Sequence, residues 1–442
     1  MLFSNKDLKK LIIPLIVEQI LSVAVGMVDT TMVSLAGEAA ISGVSLVDMV
    51  VNLLNSIFAA LATGGAVIVS QYIGKKKRET ACEAANQLLL IAMVISTVIM
   101  AVMLLFKAPL LRLIYGEIDA DVMRNAQIYL VYIALGFPFL AIFNCCAALF
   151  RSMGNAKISM QAALGMNAVN IIGDTFLIYG LHMGVAGAAI ASTISRIFAA
   201  GILLYQVRNP ENLIYIRFAS VFRPAPKLIK KILYIAIPSG IENGLFQLGR
   251  VLVVSIIAGF GTAQIAANAV ANNLDNLGLL PGHAINLAVI TVIGRCMGAG
   301  DSAQAKYYLK KLLKITYMML ACLNIVLLAS LPWILNVYSL SEEAYRCAFV
   351  LVWIHDGVGT FLWPLSFTVA HALRASGDVK YTMFISIFSM VTFRLVFSVI
   401  LGQYLGWGAI GVWVAMVIDW VFRTIAFGVR YKKGKWKQIQ VV

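Results

Sequence analysis

Twelve apolar runs follow one another along this chain, at roughly residues 10–34, 44–72, 84–106, 125–148, 159–181, 184–206, 230–258, 266–294, 309–334, 343–369, 382–404 and 408–429. Each holds about 20 residues or more, the length a helix needs to cross a bilayer. Inside hydrocarbon the backbone N–H and C=O groups must be satisfied within the segment, so the spans are helices. The fold class that follows is an all-α membrane protein with twelve transmembrane helices. Composition agrees, since 61% of the 442 residues are hydrophobic and 12% charged, far from an ordinary soluble domain. The basic stretch Met1–Lys10 precedes an apolar run too long for a cleaved leader and without a small-x-small cleavage pattern, so 10–34 is expected to remain as the first membrane helix.

A net charge of +15 would suit a nucleic-acid binder if its cations formed an aromatic-interleaved face on a soluble domain. They do not. Alternate loops hold 27 of the 35 Lys and Arg, from Lys6, Lys9 and Lys10 through Lys75–Arg78 to the tail Arg430–Lys437, while the opposite side holds Lys107, Arg112, Arg124 and Arg346. This positive-inside pattern predicts a multi-pass protein of the cell membrane with both termini cytoplasmic, partnered by the bilayer and by no nucleic acid. The six Cys show no CxxC pairing and read as small buried hydrophobes, and the four His have no metal-ligand spacing.

The chain repeats itself. Sliding it by 224 residues lays IPLIVEQIL, with Pro14 and Glu18, on IPSGIENGL, with Pro238 and Glu242, and superimposes Gly37 on Gly261 and Asn52 on Asn276 without a gap. At an offset of 223, ALFRSMGNAKISM (Arg151, Gly154) matches HALRASGDVKYTM (Arg374, Gly377), and LHMGVAGAAIA then matches LGWGAIGVWVA at 224 again. Each half carries six spans, so the halves enter the membrane with the same topology, related by an axis along the membrane normal. The expected division is a first lobe over 1–207, a cytoplasmic linker over 208–229 broken by Pro210, Pro224 and Pro226, and a second lobe over 230–442 with a basic tail.

Polar residues inside spans are costly, about 2.5 kcal/mol or more for a carboxylate, and mark function by default. Span one carries Pro14, Glu18 and Asp29; a helix-interior proline removes a hydrogen bond, so Pro14 and its repeat Pro238 are candidate hinges. In span five, Asn167, Asn170 and Asp174 fall on one helical face. At about 1.5 Å per residue Asp174 lies ~22 Å along its span and Asp29 ~28 Å along its own, so both belong to the outer half of the membrane. Two carboxylates with carboxamides a turn or two away suit a proton or Na+, held by Asp29, Asn170 and Asp174 with Asn167 nearby. The second half has Val253 and Phe397 at the matching positions, so ion coupling is expected mainly in the first half.

Glu18 and Glu242, one turn beyond the prolines, are either substrate-facing acids or structural hydrogen-bond partners. Asp48 and Asp275, near Asn52 and Asn276, either line a cavity or lie at an interface. Glu18, Glu242 and Asn276 are thus candidates for a substrate or second ion site. Arg250 and Arg394 are intramembrane cations without a sequence neighbour, Asp356 is a partner without an assignment, and Asp419 with Arg423 at i, i+4 reads as a local ion pair. The Arg-x-x-Gly segments after spans four and ten read as cytoplasmic turns. No P-loop, nucleophile elbow or HExxH occurs, so the chain is expected not to be an enzyme, to need no cofactor, and to move a small molecule on an ion gradient.

Pro14 with Asp29 fifteen residues on, NxxNxxxD in span five, the GVAGAAIAS that follows it and the ALRASGD loop after span ten resemble the MATE (multidrug and toxic compound extrusion) family over essentially the whole chain. The resemblance implies a two-lobed, V-shaped antiporter that exports organic, often cationic, compounds in exchange for H+ or Na+. It also implies that Asp29, Asn170 and Asp174 couple the cation and that Glu242 is the acid of span seven. Some members carry a second acid in span ten where this chain reads Phe361–Leu365, FLWPL. A monomer in a bacterial membrane is the corresponding expectation. A flippase of lipid-linked saccharides or an exporter of an endogenous metabolite would share the architecture.

Overall fold

The computed structural model describes residues 2–34, 38–116, 119–338, 340–439 and 441–442, and within them the side chains of 25–31, 33, 34 and 38 lie outside the description. The described residues form helices and turns and contain no strand. In chain order the helices are α1 (Asn5–Ser34), α2 (Glu38–Gly74), α3 (Arg78–Leu105), α4 (Lys107–Tyr115), α5 (Ala120–Leu135), α6 (Phe137–Ser152), α7 (Ala156–Asp174), α8 (Gly184–Val207), α9 (Phe218–Val221), α10 (Pro226–Ala258), α11 (Thr262–Gly278), α12 (Leu280–Gly298), α13 (Ser302–Val337), α14 (Glu342–Val352), α15 (Val358–Trp363), α16 (Val369–Ala375), α17 (Val379–Ser389) and α18 (Gly408–Lys433). π-helical turns continue several of them: Thr175–Gly180, Trp353–Gly357, Pro364–Thr368, Met390–Val396 and Val399–Tyr404.

Among the described residues ten helical segments are long and apolar enough to cross a membrane, and the pair α5–α6, bent by 47°, makes an eleventh. These fall on the second to twelfth expected spans, and α1 occupies the first. The bend comes just before Pro138, which has no N–H to give the preceding turn. Span eight is likewise broken between α11 and α12 beside Pro281, whereas its repeat, α2, runs unbroken with Ile57 at the matching place. Pro14 and Pro238 lie inside α1 and α10, and both helices continue through them.

The repeat extends to backbone geometry. Gly184 and Gly408 both take positive φ, 54° and 57°, at the start of α8 and α18, where an L side chain is disfavoured. Three residues on, a methyl at Gly187 would lie 3.1 Å from the carbonyl carbon of Leu177, and one at Gly411 would lie 2.7 Å from that of Leu401. Both glycines therefore let a helix start close against the turn that precedes it.

The chain divides into two compact units, Phe3–Gly240 with Val442 and Ile241–Val441 with the first residues, so the boundary falls inside α10 just after Pro238. In the N-terminal unit α1 packs along α7, α7 along α8, and α2 against α5 and α6. The segment after α8 is tied to α3: Arg78 donates to the carbonyls of Pro210, Asn212 and Leu213 at 2.7, 2.8 and 3.0 Å, and Gln87 bridges Arg223 O and Ala225 N–H. In the C-terminal unit Val253, Leu274, Leu331, Leu351 and Trp413 share one apolar cluster, supplied by α10, α11, α13, α14 and α18. Four of the six Cys are buried, as small hydrophobes, while Cys347 is half-buried and Cys322 lies on the outer surface.

Candidate functional site

Helix α7 ends on Asp174, where the spiral widens into the turn Thr175–Gly180. The α-helical spacing below that point stacks Asn170 directly under Asp174, and Asn170 Nδ2 donates to Asp174 Oδ2 at 3.1 Å. Both are buried, at 6% and 2% exposure, and Asn167 is half-buried one turn further down. Asp29 belongs to α1, which packs along α7; its side chain lies outside the described residues. What the structure brings together is thus a buried carboxylate and its carboxamide donor, an arrangement able to take up a cation.

The duplicated acids meet the duplicated arginines. Glu18 Oε1 lies 3.3 Å from Arg151 Nη1, and its Oε2 accepts from Ser159 Oγ at 3.0 Å. Glu242 Oε1 lies 2.5 Å from Arg374 Nη2, and His371 Nε2 stands 3.4 Å from the other arm of that guanidinium. Each acid thus faces a guanidinium of its own unit, buried for Arg374 and partly buried for Arg151. Pro14 and Pro238 lie one turn before the paired acids.

A third polar region occupies the C-terminal unit around a cavity of about 500 Å³. Asn268, Asn272, Asp275 and Asn276 approach it from α11, Arg250 from α10 and His283 from α12. Asn276 and Arg250 are exposed, and Asp275 is buried. Aromatic rings form the apolar part: Trp363 stacks on Phe367 with centroids 5.0 Å apart, and the His283 ring meets Trp363 edge-on at 5.2 Å. Amide, aromatic and cationic groups in one recess suit an amphipathic organic molecule.

Beside this cavity Asp275 Oδ1 contacts His355 Nδ1, and the His355 ring packs on Trp420 and Trp413 with centroids 4.2 and 4.8 Å away. The next residue, Asp356, is fully buried. His355 and Asp356 share the π-helical turn Trp353–Gly357, and such turns often sit where a helix aims side chains at a site. Of the two intramembrane cations Arg394 pairs with Asp419 at 3.0 Å, and Asp419 pairs with Arg423 at 2.8 Å, which is the local ion pair expected at i, i+4. Arg394 lies over the Phe246 ring at 5.0 Å. The sequence reading named Asp275 and Asp356 but missed His355 and His283; their signal was faint, single polar residues in two different spans.

A sequence model of the MatE family matches residues 14–176 and again 238–400, so both ends of the second match lie 224 residues beyond those of the first. The uncharacterized transporter YisQ of Bacillus subtilis is 28% identical over 436 residues, covering 96% of this chain and 93% of that protein. The probable multidrug resistance protein NorM of Thermotoga maritima is 26% identical, covering 99% and 94%. The outward-facing structure of a multidrug resistance MATE family transporter of the MOP superfamily superimposes with a TM-score of 0.91 at 21% identity, over 98% of this chain and 97% of that one.

Proposed function

Since the chain belongs to the MatE family of multidrug efflux transporters, we propose that it exports organic compounds, amphipathic and cationic ones foremost, in exchange for H+ or Na+ by alternating access. The observation that carries this reading is the buried Asn170–Asp174 pair at the end of α7, alongside the helix that bears Asp29. A buried carboxylate is costly while charged and cheap once neutralised. Uptake of a proton or Na+ from outside therefore favours a state in which the site is closed off, and release to the cytoplasm restores the charge. A cationic substrate competing for the same charge links the two fluxes. In this reading the protein works as a monomer in a bacterial cell membrane with both termini cytoplasmic, and the positive-inside bias supports that orientation.

Purified protein in liposomes, given a panel of organic cations with H+ and Na+ gradients imposed separately, tests the reading. Uptake should follow one gradient and collapse in Asp29→Asn and Asp174→Asn. Wild-type export by Asp29→Asn in everted vesicles under a pH gradient would overturn the assignment. Transport of a lipid-linked saccharide with no response to either gradient would favour a flippase.

A further inference from the structure

The C-terminal unit holds a place where buried oxygen acceptors converge with no donor between them. Asp356 is 0% exposed, and neither of its carboxylate oxygens has a hydrogen-bond partner. Asn324 of α13 is 2% exposed, and its Oδ1 is equally unsatisfied. The orientation of that amide is determined by its other end. Thr360 uses its hydroxyl proton on the Asp356 carbonyl, 2.7 Å away, so it can only accept from Asn324 Nδ2 at 2.8 Å. Asn324 Oδ1 is therefore the atom left facing the carboxylate.

Glycine makes the space. A methyl built on Gly278 of α11 would lie 2.3 Å from Asp356 Oδ1 and 2.6 Å from Asn324 Oδ1. The two oxygens thus converge over the same patch of backbone, no more than about 5 Å apart, within reach of one shared proton once the side chains turn toward each other. An ionised Asp356 in this place is a buried charge without counter-charge or donor, costly by several kcal/mol at order of magnitude. One proton on Asp356 removes the charge and supplies an O–H for Asn324 Oδ1. A multivalent metal does not fit, since the described residues contain no group of three His, Cys, Asp or Glu side chains able to hold one.

A route leads to the cavity. Asp275 stands on α11 one turn before Gly278, the residue against which Asp356 packs, and it contacts His355 directly. Asp275 and His355 both line the cavity of about 500 Å³, across which stand His283 on α12 and Arg250 on α10. His355 Nε2 has no hydrogen-bond partner, which leaves one ring nitrogen free to give or take a proton. The matching positions of the N-terminal unit, Met100 for Asn324 and Tyr132 or Ile133 for Asp356 at offsets of 224 and 223, carry neither an acid nor a carboxamide, so this site is not a relic of the repeat.

We propose that Asp356 is a proton-binding site of the C-terminal unit, sharing its proton with Asn324 and exchanging it with the cavity through the Asp275–His355 pair. In the exchange one proton leaves the pair for an Asp356 oxygen and is replaced from cavity water; no other bond changes. The site adds to the coupling proposed at Asp174 and does not depend on it.

Infrared difference spectra of the purified full-length protein, taken from about pH 5 to about pH 9, test this, because ordinary carboxyls are ionised over most of that range. The expected result is the carbonyl band of a buried protonated carboxyl that persists toward neutral pH. Asp356→Asn should abolish it, while Asp29→Asn and Asp174→Asn leave it in place. Asn324→Leu should retain the band at higher frequency, because the O–H has lost its acceptor; this variant also covers the case in which Asp356→Asn fails to fold. A spectrum with no band that depends on Asp356 overturns the proposal, as does loss of the band on adding Na+ at constant pH. Transport failure of Asp29→Asn alone would bear on the N-terminal site only.

Discussion

Arg374 reaches back to Glu242 at 2.5 Å across 132 residues of chain, repeating in the C-terminal unit the approach of Arg151 to Glu18 at 3.3 Å in the N-terminal unit. In each unit the arginine in the last helical turn of the fourth span closes on the acid one turn past the proline of the first. The positive-inside bias accounts for the presence of a cation near that membrane face, and the pairing accounts for its being drawn into the protein. Side-chain exposures of 9% and 7% for the second pair, against 12% and 12% for the first, make the second the drier.

Removing one partner of a buried pair strands the other's charge, at about 3–5 kcal/mol, whereas replacing both with apolar groups is often neutral. Glu242→Gln is therefore expected to lower the melting temperature in detergent strongly. Glu242→Met with Arg374→Met should recover most of the loss. Glu18→Gln should cost less, because this pair is the more exposed and Ser159 can still donate to the new amide oxygen. A double-mutant cycle on each pair checks the order.

Asp419 stands between two arginines, with Oδ2 at 3.0 Å from Arg394 and Oδ1 at 2.8 Å from Arg423, and its side chain is 0% exposed. Asp419→Asn leaves two buried cations facing one neutral amide, while Arg423→Met leaves one balanced pair. The first should therefore destabilise more than the second, by about 3 kcal/mol or more. Arg346→Ala breaks an ion pair that is 77% and 80% exposed and should leave the melting temperature unchanged. Equal losses for Asp419→Asn and Arg423→Met would contradict the charge argument.

These pairs mark where the sequence stops being legible. Spacing along one helix is visible in a string of letters, which is why Asn170 under Asp174 and Asp419 beside Arg423 were readable before any coordinates. The repeat was readable too, down to Gly187 and Gly411. Contacts between helices depend on how each helix is rotated and how deep it sits, and periodicity does not encode either. Asp275 and His355 are 80 residues apart, and Asn324 and Thr360 are 36 apart, so no window along the chain contains them together. The expectation that ion chemistry belongs mainly to the first half rested on Val253 and Phe397. Those positions are apolar as read; the acids of the second half stand elsewhere, Glu242 earlier in α10 and Asp275, Asp356 and Asp419 on other helices.

Asn170 supplies the hydrogen bond to Asp174, and a bond to a charged group contributes about 1.5–3 kcal/mol. Asn170→Ala should therefore weaken cation-driven export about 10- to 100-fold, while Asn170→Asp should alter the ion requirement. Transport assays at fixed substrate with pH and Na+ varied independently measure both. An Asn170→Ala variant with wild-type dependence on the coupling ion would remove this residue from the site.

Gly278→Ala probes the C-terminal unit from the backbone side. Its new methyl would stand 2.3 Å from Asp356 Oδ1 and 2.6 Å from Asn324 Oδ1, distances that real carbon atoms do not tolerate, so one of the two side chains has to move. Overpacking of this kind costs about 1–3 kcal/mol. Asn324→Ala removes one of the two oxygens, so in its presence the added methyl should cost less, and the two substitutions should be non-additive by more than about 0.5 kcal/mol. Gly428→Ala, where a methyl meets nothing within 4 Å, serves as the control and should be neutral or slightly stabilising. Additive losses for Gly278→Ala and Asn324→Ala would mean that the two oxygens do not share this space, and the convergence that defines the proton site would be gone with them.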